Sequence, residues 1–134
     1  MNKDFQANKG AYGQLFRAAE AVLPNAYVPF SKFRVGAALL TEDGEIYTGV
    51  NVENSSYGGT ICAERTACVK ALSEGHRHFK AIAIASSGGT AFPCGICRQF
   101  LYEFAPDLIV ILGDDEDHLM KYTLQELLPE GFRL

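Results

Sequence analysis

Residues 80–113 read KAIAIASSGGTAFPCGICRQFLYEFAPDLIVILG, and this stretch decides the fold. The run 80–86 is apolar almost without a break, as in a strand at the centre of a sheet covered on both faces. Ser87 to Thr90 is a loop, and Pro93 opens a helix predicted over 94–104. A second strand follows over 107–113. Upstream, residues 33–41 read as a strand, Asp43-Gly44 as a hairpin turn and 45–53 as the returning strand. Helices are predicted over 11–23, where Pro24-Asn25 stops the apolar periodicity, and over 62–74, ended by Gly75. A short edge strand over 118–122 and a last helix over 123–128 complete the order α-β-β-α-β-α-β-β-α. That order predicts an α/β fold: a three-layer α/β/α sandwich around a mixed five-stranded sheet. With 134 residues and no linker or repeat, the chain is expected to be one domain, 1–134.

Nearly half the residues are apolar, enough to bury a core, so global disorder is excluded. The formal charge is −4, which argues against a chain whose main work is gripping nucleic acid through phosphates. No apolar run approaches membrane-spanning length. The stretch Met1 to Gln6 lacks a basic-then-apolar signal pattern, so a cytoplasmic protein is expected.

In a reducing compartment the four cysteines point to metal binding or catalysis before disulfides. Cys94 and Cys97 form a C-x-x-C pair, and Cys62 lies well upstream. Three thiolates are one short of a closed structural zinc site, and three ligands plus an open position is the arrangement of a catalytic zinc. Both clusters fall at predicted helix starts, where free amides and the helix dipole favour thiolate. Glu64, two residues after Cys62, is placed to reach a water at the open position. Arg65 is read as a hydrogen-bond donor to the sulfurs, and Arg98 as either a second such donor or an exposed helix residue. Cys68 is read as a core residue. His76 and His78 are read as solvated loop residues, and His118 has no assigned role.

Cys62-Ala63-Glu64 followed by Pro93-Cys94-Gly95-Ile96-Cys97 resembles the H-x-E…P-C-x-x-C signature of the zinc-dependent deaminases, with cysteine in place of histidine. The wider blocks are similar to the small homotetrameric cytidine deaminases. These are 31–39 (SKFRVGAAL), 49–54 (GVNVEN), 62–67 (CAERTA), 93–99 (PCGICRQ) and 127–132 (LLPEGF). They cover almost the whole chain from about residue 27.

The resemblance implies hydrolytic deamination of cytidine and deoxycytidine to uridine and deoxyuridine. It implies one Zn2+ per chain on Cys62, Cys94 and Cys97, with Glu64 moving protons between water, the ring nitrogen N3 and the departing ammonia. Asn51 and Glu53 are then expected on the ribose hydroxyls, the Ala63 amide on the pyrimidine carbonyl, and Phe33 against the base. Phe132 is expected to enter the site of a neighbouring subunit in a homotetramer, with Phe30 and Tyr57 as intersubunit aromatics. A nucleoside is the expected partner, with neither nucleic acid nor membrane.

Three alternatives stand beside this. A thiol–disulfide enzyme would use the C-x-x-C alone and leave Cys62 and Glu64 unexplained. A zinc-stabilised binding module would need a fourth protein ligand. A deaminase of a related aminated nucleoside such as blasticidin S would share the metal site and the glutamate.

Overall fold

The computed structural model describes residues 9–134. The stretch Met1 to Gln6, read above for a signal pattern, lies outside the described residues. Five strands form a single sheet: β1 (Val35–Thr41), β2 (Ile46–Val50), β3 (Phe79–Ser86), β4 (Ile109–Gly113) and β5 (Leu119–Thr123). Their order across the sheet is β2-β1-β3-β4-β5. Only β3 and β4 run parallel, and the other neighbours are antiparallel. The helices are α1 (Lys9–Ala21), α2 (Ala63–Ser73), α3 (Gly95–Phe104) and the short α4 (Leu124–Leu127).

Alternation along β3 separates the layers. Ala81, Ala83 and Ala85 join Leu15, Phe16 and Ala19 of α1 in one buried cluster. Ile82 and Ile84 join Ala67, Cys68 and Ala71 of α2 and Leu101 of α3 in the other. On β3, therefore, alanines face α1 and isoleucines face α2 and α3. Each fully buried isoleucine contributes about 2 kcal/mol of apolar burial. This is the expected α/β/α layering.

The strand registers set where the site forms. Val35 pairs with Ser86 and Gly36 with Val50, so the start of β1 and the ends of β2 and β3 meet at one rim. The loops into α2 and α3 leave from that rim. Gly49 of β2 lets α2 approach closely: a β-carbon there would lie 2.4 Å from the Ala67 nitrogen and 2.6 Å from the Ala63 oxygen.

Several expected boundaries shift for identifiable reasons. Phe33 precedes β1 instead of starting it, because its backbone bonds go to the Ser31 and Asn51 side chains. The strand expected over 45–53 ends at Val50. Val52 keeps isolated bridges to Tyr27 and Ile61, which bend the chain towards α2. The helix expected over 123–128 spans only Leu124–Leu127, since Thr123 is its cap, in a reciprocal capping box with Glu126. His76 is not a solvated loop residue. Its Nε2 lies 2.6 Å from Glu45 Oε2, and its ring packs against Tyr47 at 5.2 Å between centroids. Cys68 is buried as expected, and burial pushes its thiol up to about 12. Among the described residues no helix is long and apolar enough to cross a membrane.

Candidate metal centre and active site

Both site helices begin at a cysteine. Cys62 precedes α2 and Cys94 precedes α3, each with extended backbone, and neither side chain caps its own helix. Each sulfur is thus left to face the other helix, and the two lie 3.6 Å apart. Cys97, in the first turn of α3 and fully buried, completes the group. All three sulfurs lie within 4.8 Å of one another. Tetrahedral zinc with bonds near 2.3 Å sets its sulfur ligands about 3.8 Å apart, so this donor set fits that ion. The group holds three donors, which leaves the fourth position of a tetrahedron without a protein ligand among the described residues.

The surroundings favour negative charge on the Cys62 sulfur. A hydrogen bond from Cys97, with help from Arg65, holds the Cys62 thiol down at about 5. The same bond and burial push Cys97 up. Arg65 Nη2 donates to Cys62 Sγ at 3.6 Å and to the Thr60 carbonyl at 3.5 Å. Its Nε is buried without a partner among the described residues. Arg98 fits neither reading offered by the sequence: it is half-buried, and its Nε donates to the Pro93 carbonyl at 2.8 Å and its Nη1 to the Leu127 carbonyl at 2.7 Å. It braces the loop that carries Cys94 against the C-terminal segment.

Glu64 lies in the first turn of α2 and is 4% exposed. Burial pushes its carboxyl up to about 7. It opens onto a cavity of about 160 Å3, whose walls include Phe33, Asn51, Cys62, Ala63 and Cys94. A carboxyl poised near neutrality, three clustered sulfurs and an aromatic ring therefore share one small hollow. That combination can bind a flat apolar-faced ring and move protons at its edge.

The remaining expected site residues are placed less uniformly. The Asn51 amide bridges the backbone: Oδ1 accepts from the Val35 N–H at 2.9 Å, and Nδ2 donates to the Phe33 carbonyl at 2.9 Å. Glu53 lies outside the cavity walls. Its carboxylate accepts from the amides of Phe30 at 2.9 Å and Ser31 at 3.1 Å, and from the Ser31 hydroxyl. The Ser31 hydroxyl chiefly holds it below the usual carboxylate range. Phe132 does not line the cavity of its own chain. It is 61% exposed, with its carbonyl accepting from Gln99 Nε2 at 3.1 Å.

Two residues of the site escaped the sequence reading. Phe92 forms a cavity wall and packs edge-on to Tyr122, with ring centroids 5.6 Å apart. Its place directly before Pro93-Cys94 was the available signal. Ser31, which touches Glu53 and Phe33, carried no chemical signal in the sequence.

The family model for the "Cytidine and deoxycytidylate deaminase zinc-binding region" matches residues 11–112, which include all three sulfurs and Glu64. The chain belongs to this deaminase family. Among its relatives, a cytidine deaminase of Halalkalibacterium halodurans is 48% identical over 120 residues, covering 88% of this chain and 91% of the relative. One from Sporosarcina psychrophila is 48% identical over 121 residues, covering 89% of each. The crystal structure of cytidine deaminase from Burkholderia pseudomallei superposes with a TM-score of 0.84 at 45% identity, covering 89% of this chain and 97% of that one. The deaminase likeness thus extends from the cysteine motifs to the whole α/β framework.

Proposed function

We propose that this chain, acting as a single catalytic domain, hydrolyses cytidine and deoxycytidine to uridine and deoxyuridine with release of ammonia, as a step of pyrimidine salvage. The observation that carries the reading is a buried Glu64 beside three clustered sulfurs in one small, mainly apolar cavity. Cys62, Cys94 and Cys97 would hold one Zn2+, which when bound supplies a Lewis acid that makes water nucleophilic at neutral pH.

The side chains of the protein account for the rest. Phe33 packs on the pyrimidine face, and the Ala63 N–H donates to the ring carbonyl. Glu64 takes a proton from the attacking water and gives one to N3, which makes C4 electrophilic. It then takes the proton of the new C4 hydroxyl and delivers it to the exocyclic nitrogen, so that the C4 carbonyl forms as the C4–N bond breaks. One water is consumed and one ammonia leaves, so atoms and charge balance. Arg65 steadies the Cys62 sulfur throughout. Asn51 and Glu53 face the sugar hydroxyls with donors and acceptors together.

The same reading makes the working form a homotetramer whose sites borrow Phe132 from a neighbour. Exposed aromatics support it: Tyr57 is 76% exposed and pairs with Phe30 at 5.7 Å, and Phe132 stands clear of its own cavity. The same reading places the enzyme in the cytoplasm, where a reducing medium keeps the three metal-binding sulfurs from pairing as disulfides.

Loss of cytosine absorbance tests the proposal. Wild-type protein turns over cytidine and deoxycytidine, with little action on cytidine monophosphate or blasticidin S. A strong chelator abolishes turnover. Glu64→Gln keeps zinc and fold but loses at least about 100-fold in kcat, the usual worth of a positioned proton carrier. Full activity of that variant, or a preference for the monophosphate or blasticidin S, refutes it.

A further inference from the structure

The sugar-side and base-side residues are tied together by one hydroxyl. Ser31 Oγ donates to Glu53 Oε2 and accepts from the Phe33 N–H at 3.0 Å. Asn51 Nδ2 holds the carbonyl of the same Phe33 from the other side. Between the two tied residues sits Lys32, at φ +61°, a left-handed conformation that costs a non-glycine residue energy. The loop 30–33 therefore stays in an unfavourable shape because Ser31, Glu53 and Asn51 clasp it. A hydroxyl suits this position because it can donate to a carboxylate and accept from an amide at once.

We propose that Ser31 is a positioning residue that sets the Phe33 ring and the Glu53 carboxylate in one fixed relation before substrate arrives. The proposal rests on the reading of Phe33 as the base-packing residue and Glu53 as a sugar-binding one. Without the hydroxyl, Glu53 loses a donor that aims it, and Phe33 loses the anchor of its N–H. Binding should weaken while the chemistry at Glu64, on a different element, proceeds unchanged.

The test uses zinc-loaded, full-length protein, with cytidine and 2′,3′-dideoxycytidine as substrates. Ser31→Ala should raise KM for cytidine about tenfold, the effect expected from losing a hydrogen bond to a charged group, with kcat nearly unchanged. Ser31→Thr, which keeps the hydroxyl, should restore KM. On the dideoxy substrate the Ser31→Ala penalty should shrink to the share that acts through Phe33. An unchanged KM in Ser31→Ala, or a defect that Ser31→Thr fails to repair, overturns the proposal. Glu53→Gln separates the underlying reading. If it leaves cytidine KM unchanged, Glu53 does not bind the sugar. The dideoxy arm then decides for Ser31: a Thr-repairable rise in KM supports it, and no rise overturns it.

Discussion

Replacing Gly49 by alanine inserts one carbon between β2 and α2. That carbon would stand 2.4 Å from the Ala67 nitrogen, 2.6 Å from the Ala63 oxygen and 2.9 Å from Thr66 Cβ. Comfortable heavy-atom contact needs about 3.5 Å, so the helix must retreat by about 1 Å. The obstacles are mainly backbone and cannot rotate away. Gly49 pairs with Ala37 in the sheet, which resists movement on the strand side. Alanine in a free strand would gain about 0.5–1 kcal/mol over glycine, but overpacking costs about 1–3 kcal/mol. We expect a net loss of about 1 kcal/mol, read as a lower urea midpoint. The retreating first turn carries Ala63 and Glu64 and adjoins Cys62, and a 1 Å misplacement of reacting groups costs about 100-fold in rate. Turnover should therefore fall far more than stability, in protein that stays folded. A Gly49→Ala variant with wild-type midpoint and wild-type kcat would refute the close approach.

Two further outcomes follow from the loops. The Glu53 carboxyl is held below its ordinary value, chiefly by the Ser31 hydroxyl. Its contribution is therefore fully present above the unfolded carboxylate pKa near 4.5, and is lost only as pH falls through the lower folded value. The Glu53 carboxyl, followed by 13C NMR on the folded enzyme, should titrate below 4.5, and a midpoint at or above 4.5 contradicts the clasp. If the proposed tetramer shares its sites, Phe132→Ala should raise KM and weaken the assembly in sedimentation runs at low protein concentration while leaving each chain folded. Wild-type values in both measurements would remove Phe132 from the shared site.

The cysteine spacing was legible because metal ligation demands particular atoms at helix starts, and Glu64 followed from standing beside them. The βαβ unit was legible because residues 80–86 and 107–113 are apolar enough to be central. The division of β3 into an alanine face and an isoleucine face is visible in the string, but which helix covers each face depends on the crossover into α3. The Glu53 clasp was not legible, since it joins residues 22 positions apart through the path of a loop. His76 misled for a related reason. Its polar neighbours in sequence suggested solvent, while Glu45 and Tyr47 of the β2 hairpin came to it in space.

Cys62 and Cys94 stand 32 positions apart, with the whole of β3 threaded between them. The arrangement that lets one ion grip both exists only in the chain whose middle strand lies in the sheet. Tight binding by all three sulfurs would then be coupled to the long-range pairing of the sheet, so that metal and fold stabilise one another. A ribosome-bound fragment ending before Cys94 would carry Cys62 as the single member of the three-sulfur cluster, with no helix α3 to bring it the other two.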